Sequence, residues 1–138
     1  MRLFGARDQL AIAAVLFVAI NDERGGSYAS GKNFAKAAGL SDRYLEPILQ
    51  DLAHAGIILG KKGNHGGYTL ARPTRKITLF QIVEISQAHD GMVRNMAVRS
   101  DLVRNVVTPY IDASMRNLTE ALNLITIADL MLFAKVKQ

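Results

Sequence analysis

The spacing of apolar residues changes period several times along the chain, and each change marks an element. Leu10 to Ile20 is an unbroken, Ala-rich apolar run, which predicts a first helix buried on several sides. From Gly31 to Ile48, Phe34, Ala35, Ala38, Leu40, Leu45 and Ile48 keep helical spacing on either side of Gly39. This reads as two helices joined by a tight bend. Ala35 is small enough for the second helix to cross closely, and Gly39 can take positive φ without steric cost. Ser41 is the predicted N-cap, its hydroxyl accepting from an open N–H, with Asp42 at the positive end of the helix. Leu45, Ile48, Leu49 and Leu52 form the predicted buried stripe, and Arg43, Tyr44, Glu46 and Gln50 lie off it.

Beyond Ala55-Gly56, a helix stop, the pattern shortens. Ile57-Ile58-Leu59 and Tyr68-Thr69-Leu70-Ala71 read as paired strands. Between them Lys61, Lys62, Asn64 and His65 alternate with glycines 60, 63, 66 and 67, a thin basic tip whose backbone can approach phosphates. Such a loop could also cradle a nucleotide phosphate, but the Walker pattern is absent and no helix N-terminus follows. Helical spacing returns from Thr78, a cap, to Gln87, with Leu79, Ile82, Val83 and Ile85 apolar. From about Ser100 to Leu124 a longer helix carries Val103, Val107, Tyr110, Ile111, Leu118, Ala121, Leu122 and Ile125 on one broad face, and Pro109 starts a new segment or kinks it. Thr126-Ile127-Ala128-Asp129 is a capping box for a last short helix.

The predicted fold class is mainly α with a small β-hairpin: a winged helix-turn-helix followed by a long C-terminal dimerisation helix. In this layout one helix enters the major groove of double-stranded DNA while the wing tracks the flanking backbone. Residues 1–88 make the DNA-binding domain, with its N-terminal helix, and 89–138 the dimerisation helix and the short last helix. The long helix has little of its own chain left to cover it. A twofold homodimer is expected, with this helix against its mate and against the Leu10–Ile20 run of the other subunit.

Charge sharpens the picture. Residues 1–76 hold 11 Lys+Arg against 6 Asp+Glu, whereas residues 77–138 hold 6 against 6, so the whole net charge of +5 sits on the proposed reading head. That segregation favours a polyanionic partner. A content of 49% hydrophobic and 21% charged residues is that of a folded globule without disordered stretches. Arg2 and Arg7 before the apolar run raise the question of a signal peptide. The run is too short to span a bilayer and Asn21-Asp22-Glu23-Arg24 is a poor cleavage context, so no membrane association and a cytoplasmic location are expected.

Cysteine is absent, which removes disulfides and thiolate metal sites. His54, His65 and His89 are too scattered for a shared metal site, and Asp90 and Asp101 beside His89 read as a solvated loop. Met92, Met96, Met115 and Met131 read as packing residues. No nucleophile elbow, His-Glu-x-x-His or pocketed carboxylate pair supports an enzyme. No cofactor is expected.

Several stretches together resemble the Rrf-type family of bacterial winged-helix regulators: Met1-Arg2-Leu3, Leu40-Ser41-Asp42-Arg43-Tyr44-Leu45-Glu46, Leu52-Ala53-His54-Ala55-Gly56-Ile57, Gly66-Gly67-Tyr68-Thr69-Leu70-Ala71-Arg72-Pro73, Ile77-Thr78-Leu79 and Ile125-Thr126-Ile127-Ala128-Asp129-Leu130. The resemblance implies a homodimer that binds a partly palindromic operator, usually as a repressor. By motif position it assigns recognition to Ser41, Arg43, Tyr44 and Glu46 and to Lys62 in the wing; Lys61, Asn64 and His65 complete the basic tip. Two departures stand out. Pro47 occupies a place where relatives carry a polar base-contacting residue, and Lys62 one where arginine is common. Cluster-binding relatives place three cysteines in the segment that here runs from about Asp90 to Thr108, which has none, so no iron–sulfur cluster is expected and the effector is unnamed. The competing expectation is a protein–protein module whose winged helix no longer reads DNA.

Overall fold

The structure is a computed structural model that describes residues 4–25, 27–88 and 100–137. Met1-Arg2-Leu3, His89, Asp90, Met92 and Met96 lie outside the described residues, as does most of the stretch from Asp90 to Thr108. The order of elements is α1 (Ala6–Glu23), α2 (Gly31–Ala38), α3 (Asp42–His54), β1 (Ile58–Lys61), β2 (Gly67–Leu70), α4 (Leu79–Ser86), α5 (Thr108–Leu124) and α6 (Ile127–Lys137). A mainly helical chain with one antiparallel hairpin, this is the winged helix-turn-helix that the sequence predicts.

One core joins the elements. Ala14, Val15 and Val18 of α1, Phe34 and Ala35 of α2, Leu45, Ile48, Leu49 and Leu52 of α3, and Ile82 of α4 are buried together. The four-residue stripe of α3 is therefore inside, as its spacing predicts. Phe17 and Phe34 meet with ring centroids 5.2 Å apart, locking α1 to α2. Ala11, Ala14, Val15, Val18 and Ala19 are buried and the rest of the Leu10–Ile20 run is partly buried, so the chain itself covers much of the apolar run. Ala38 and Leu40, counted with the apolar set, are exposed beside the bend, where Gly39 has φ +70°.

Pairing in the hairpin runs Ile58↔Leu70, Leu59↔Thr69, Gly60↔Tyr68 and Lys61↔Gly67. Ala29, just before α2, exchanges both backbone hydrogen bonds with Tyr68 at 2.8 Å, so the wing is tied to the start of the helix-turn-helix. Asp22 at the end of α1 accepts from the Thr69 hydroxyl and the Leu70 N–H, both at 2.8 Å. Near the other end of α1, Arg7 pairs with Asp51 of α3 at 2.8 Å. Helix α1 is thus a rail that fixes α3 and the wing relative to each other.

Both predicted caps form, and the one at Thr78 is a capping box as well. Thr78 and Gln81 cap α4, and Thr126 and Asp129 cap α6. The Leu79 N–H donates to the Ile125 carbonyl and the Ile127 N–H to the Ile77 carbonyl, both at 2.9 Å, which staples the α5–α6 junction to the start of α4. Ile127 is buried in the common core, and Leu118, Leu130 and Met131 pack against it. The far end of the long helix differs. A π-helical turn, Val103–Val107, leads into α5 without a break, the Thr108 N–H donating to the Val103 carbonyl, and Pro109 directly follows that turn inside continuous helix. Around it Leu102, Val106, Val107, Tyr110 and Ile111 are all exposed.

Candidate nucleic-acid interface

Helix α3 and the wing face each other across a cleft of about 760 Å³. Glu46, Gln50, Ala53 and His54 form its helical wall, Lys61, Lys62, Gly63 and Asn64 form its wing wall, and Ser30, Gly31 and Lys32 at the start of α2 close one end. Three lysines against one carboxylate make the cleft cationic, as a channel for a phosphate backbone requires. Ser30 caps α2 by accepting from the Asn33 N–H, so that helix presents its positive end there.

All eight residues singled out from the sequence are exposed. Glu46, Lys61, Lys62 and Asn64 come together in the cleft. Ser41, Arg43 and Tyr44 sit outside it, on the first turn of α3, and His65 lies at the hairpin turn beyond the lining. Lys32 and His54 also line the cleft although the sequence does not single them out, and so does Gln50, which the sequence places off the buried stripe. For His54 and Gln50 the signal was available, because both fall on the side of α3 opposite the buried stripe. Lys32 is brought in only by the fold.

Three details differ from the expected chemistry. Ser41 holds the N-cap position of α3, but its hydroxyl makes no capping bond, because the Tyr44 N–H is taken by the Ser41 carbonyl at 3.2 Å. That hydroxyl is left at the exposed positive end of α3. Lys61 folds back so that its ammonium lies 5.2 Å from the centre of the Tyr28 ring, whereas Lys62 continues to the tip. The glycines act inside the hairpin as much as outside it. A Cβ at Gly66 would collide with the Lys61 carbonyl and one at Gly67 with the Ala29 carbonyl, so both are demanded by the wing's own backbone, and Gly63 alone of the tip glycines opens onto empty space.

Tyr68 lies beneath the cleft, its ring 3.3 Å from where a Cβ on Gly60 would stand. Burial raises its phenol above the usual value, and the Glu46 carboxylate pushes it the same way. The hydroxyl therefore stays protonated at neutral pH. No group of three or more His, Cys, Asp or Glu among the described residues could hold a metal ion, and the chain has no thiolate to offer. No helix among the described residues is long and apolar enough to cross a membrane.

Known proteins share this fold. T. potens IscR superposes with a TM-score of 0.77 at 24% identity, covering 99% of this chain and 91% of that one. CymR, the global cysteine regulator of B. subtilis, does so at 0.71 and 22%, covering 96% and 98%. These likenesses establish the fold. In sequence, the chain is 34% identical to protein aau3 of Rhizobium meliloti over 77 residues, 56% of this chain and 48% of that one. It is 31% identical to the HTH-type transcriptional regulator IscR of Cereibacter sphaeroides over 78 residues, 56% and 50% of the two. The chain spans about half the length of the curated relatives it matches. The profile of the Rrf2 family, described as iron-dependent transcriptional regulators, matches residues 6–132, and the chain belongs to that family.

Proposed function

We propose that the protein is a homodimeric, sequence-specific regulator that binds a partly palindromic operator in double-stranded DNA and acts as a repressor. The observation that carries this reading is the cationic cleft between α3 and the wing, on the half of the chain that holds all the excess positive charge. In this reading Arg43, Tyr44 and Glu46 meet base edges, while Ser41, Lys61, Lys62, Asn64 and His65 hold phosphates on either side. Lys32 and His54 extend the phosphate track. Residues 1–88 carry this function and 89–138 the dimer contact, whose apolar surface is the exposed Leu102–Ile111 stretch. The iron dependence of the family does not extend here to a thiolate-held centre, because a chain without cysteine supplies no such ligand.

Binding to labelled fragments of the source genome, measured over a range of salt, tests the reading. Wild type should lose affinity steeply as salt rises. Lys61→Ala with Lys62→Ala should weaken binding to all sequences alike and lower the salt slope by roughly two. Unchanged binding by that variant at every salt concentration would point instead to a protein–protein module.

A further inference from the structure

Pro47 lies inside α3, and the helix runs on past it to His54. An interior proline destabilises a helix, because it removes one intrahelical hydrogen bond and crowds the carbonyl four residues back. Burial does not offset that cost here, since Pro47 is exposed. Arg43, Pro47, Gln50 and His54 recur at i, i+4, i+7 and i+11, which puts them on one line opposite the buried Leu45, Ile48, Leu49 and Leu52. All four are exposed. The line that points most directly away from the core thus carries a rigid apolar ring between a cation and an amide.

In the major groove only one base presents an apolar group, thymine with its C5-methyl. A pyrrolidine ring has no donor or acceptor with which to read any other base edge. Its fixed shape also spares the side-chain entropy that a longer residue would lose on contact.

We infer that Pro47 is a specificity-determining residue of the reading helix and that its ring packs on a thymine methyl in each operator half-site. This rests on the DNA-reading function proposed above. Duplexes selected by the wild-type protein from a randomised pool provide the probe. Each thymidine of a selected half-site is replaced singly by deoxyuridine, which removes the methyl and leaves the hydrogen-bonding edge intact. Wild type should bind about three- to five-fold more weakly at one position. Pro47→Gln, which restores the helical N–H and so does not threaten the fold, should bind the thymidine and deoxyuridine forms of that position equally. Indifference of the wild type to every replacement, or an equal penalty in Pro47→Gln, overturns the inference and leaves DNA reading standing. A pool from which nothing is enriched overturns the DNA-reading function and this inference with it.

Discussion

Tyr68 shows how one residue can serve both fold and site. Its backbone ties the wing to Ala29, its ring covers Gly60, and its phenol is kept protonated by burial first and by Glu46 second. A phenol raised in the folded state holds its proton after the unfolded chain has shed its own, near pH 10. The stability it contributes is therefore whole below that pH and is lost as pH rises through the higher folded value. Urea unfolding between pH 8 and about 11 should show this as a downward slope that Tyr68→Phe reduces, and Glu46→Gln should reduce it less. Equal slopes in wild type and Tyr68→Phe would remove the phenol from the account. The sequence offers Tyr68 only as part of a Gly-Gly-Tyr motif. Its role depends on Glu46, 22 positions earlier, which only the fold brings near. Ser41 and Lys61 carry the same lesson. Their positions are legible from composition and spacing, but the competing partners, the Ser41 carbonyl and the Tyr28 ring, are not.

Among elements, those whose ends are written in local chemistry match the sequence best. Thr78 with Gln81 and Thr126 with Asp129 announce α4 and α6, and Gly39 announces the bend between α2 and α3, because caps and positive-φ turns are chosen within a few residues. The π-helical turn at Val103–Val107 carries no such mark, and neither does the anchoring of the wing by Asp22, which joins residues 47 and 48 positions apart. That anchor can be tested. Asp22→Ala leaves the half-buried Leu70 N–H without its acceptor, which should cost about 1–3 kcal/mol. Hydrogen exchange at Leu70 should quicken more than at Leu49 or Leu52 of α3, and Asp22→Asn, which keeps an acceptor oxygen, should restore part of the protection. Uniform quickening across the chain would mean that Asp22 supports the fold generally rather than the wing.

For the whole molecule, the two ends of the C-terminal arm have different surroundings. From Leu122 to Lys135 the arm packs one side on its own winged helix-turn-helix, through the Ile77–Ile127 staple and the contact between Lys135 and Glu23 at 2.7 Å, while Leu124, Leu132 and Phe133 face outward. At the other end Tyr110 is 74% exposed and Leu102 67%, beside Val106, Val107 and Ile111. A cluster of that kind on a helix is what an isologous contact with a second copy would cover, and its position on the arm leaves the cleft open. Ile111→Asp places a charge in the cluster while touching nothing in the core. Light scattering after gel filtration should then report a monomer for the variant and a dimer for wild type. Two linked reading helices gain from effective concentration, so the variant should bind a palindrome with half-sites one helical turn apart roughly a hundred-fold more weakly. On a duplex carrying a single half-site the two proteins should differ little. A variant that stays dimeric would move the dimer contact away from this face. One that is monomeric yet binds the palindrome as well as wild type would detach dimerisation from operator reading.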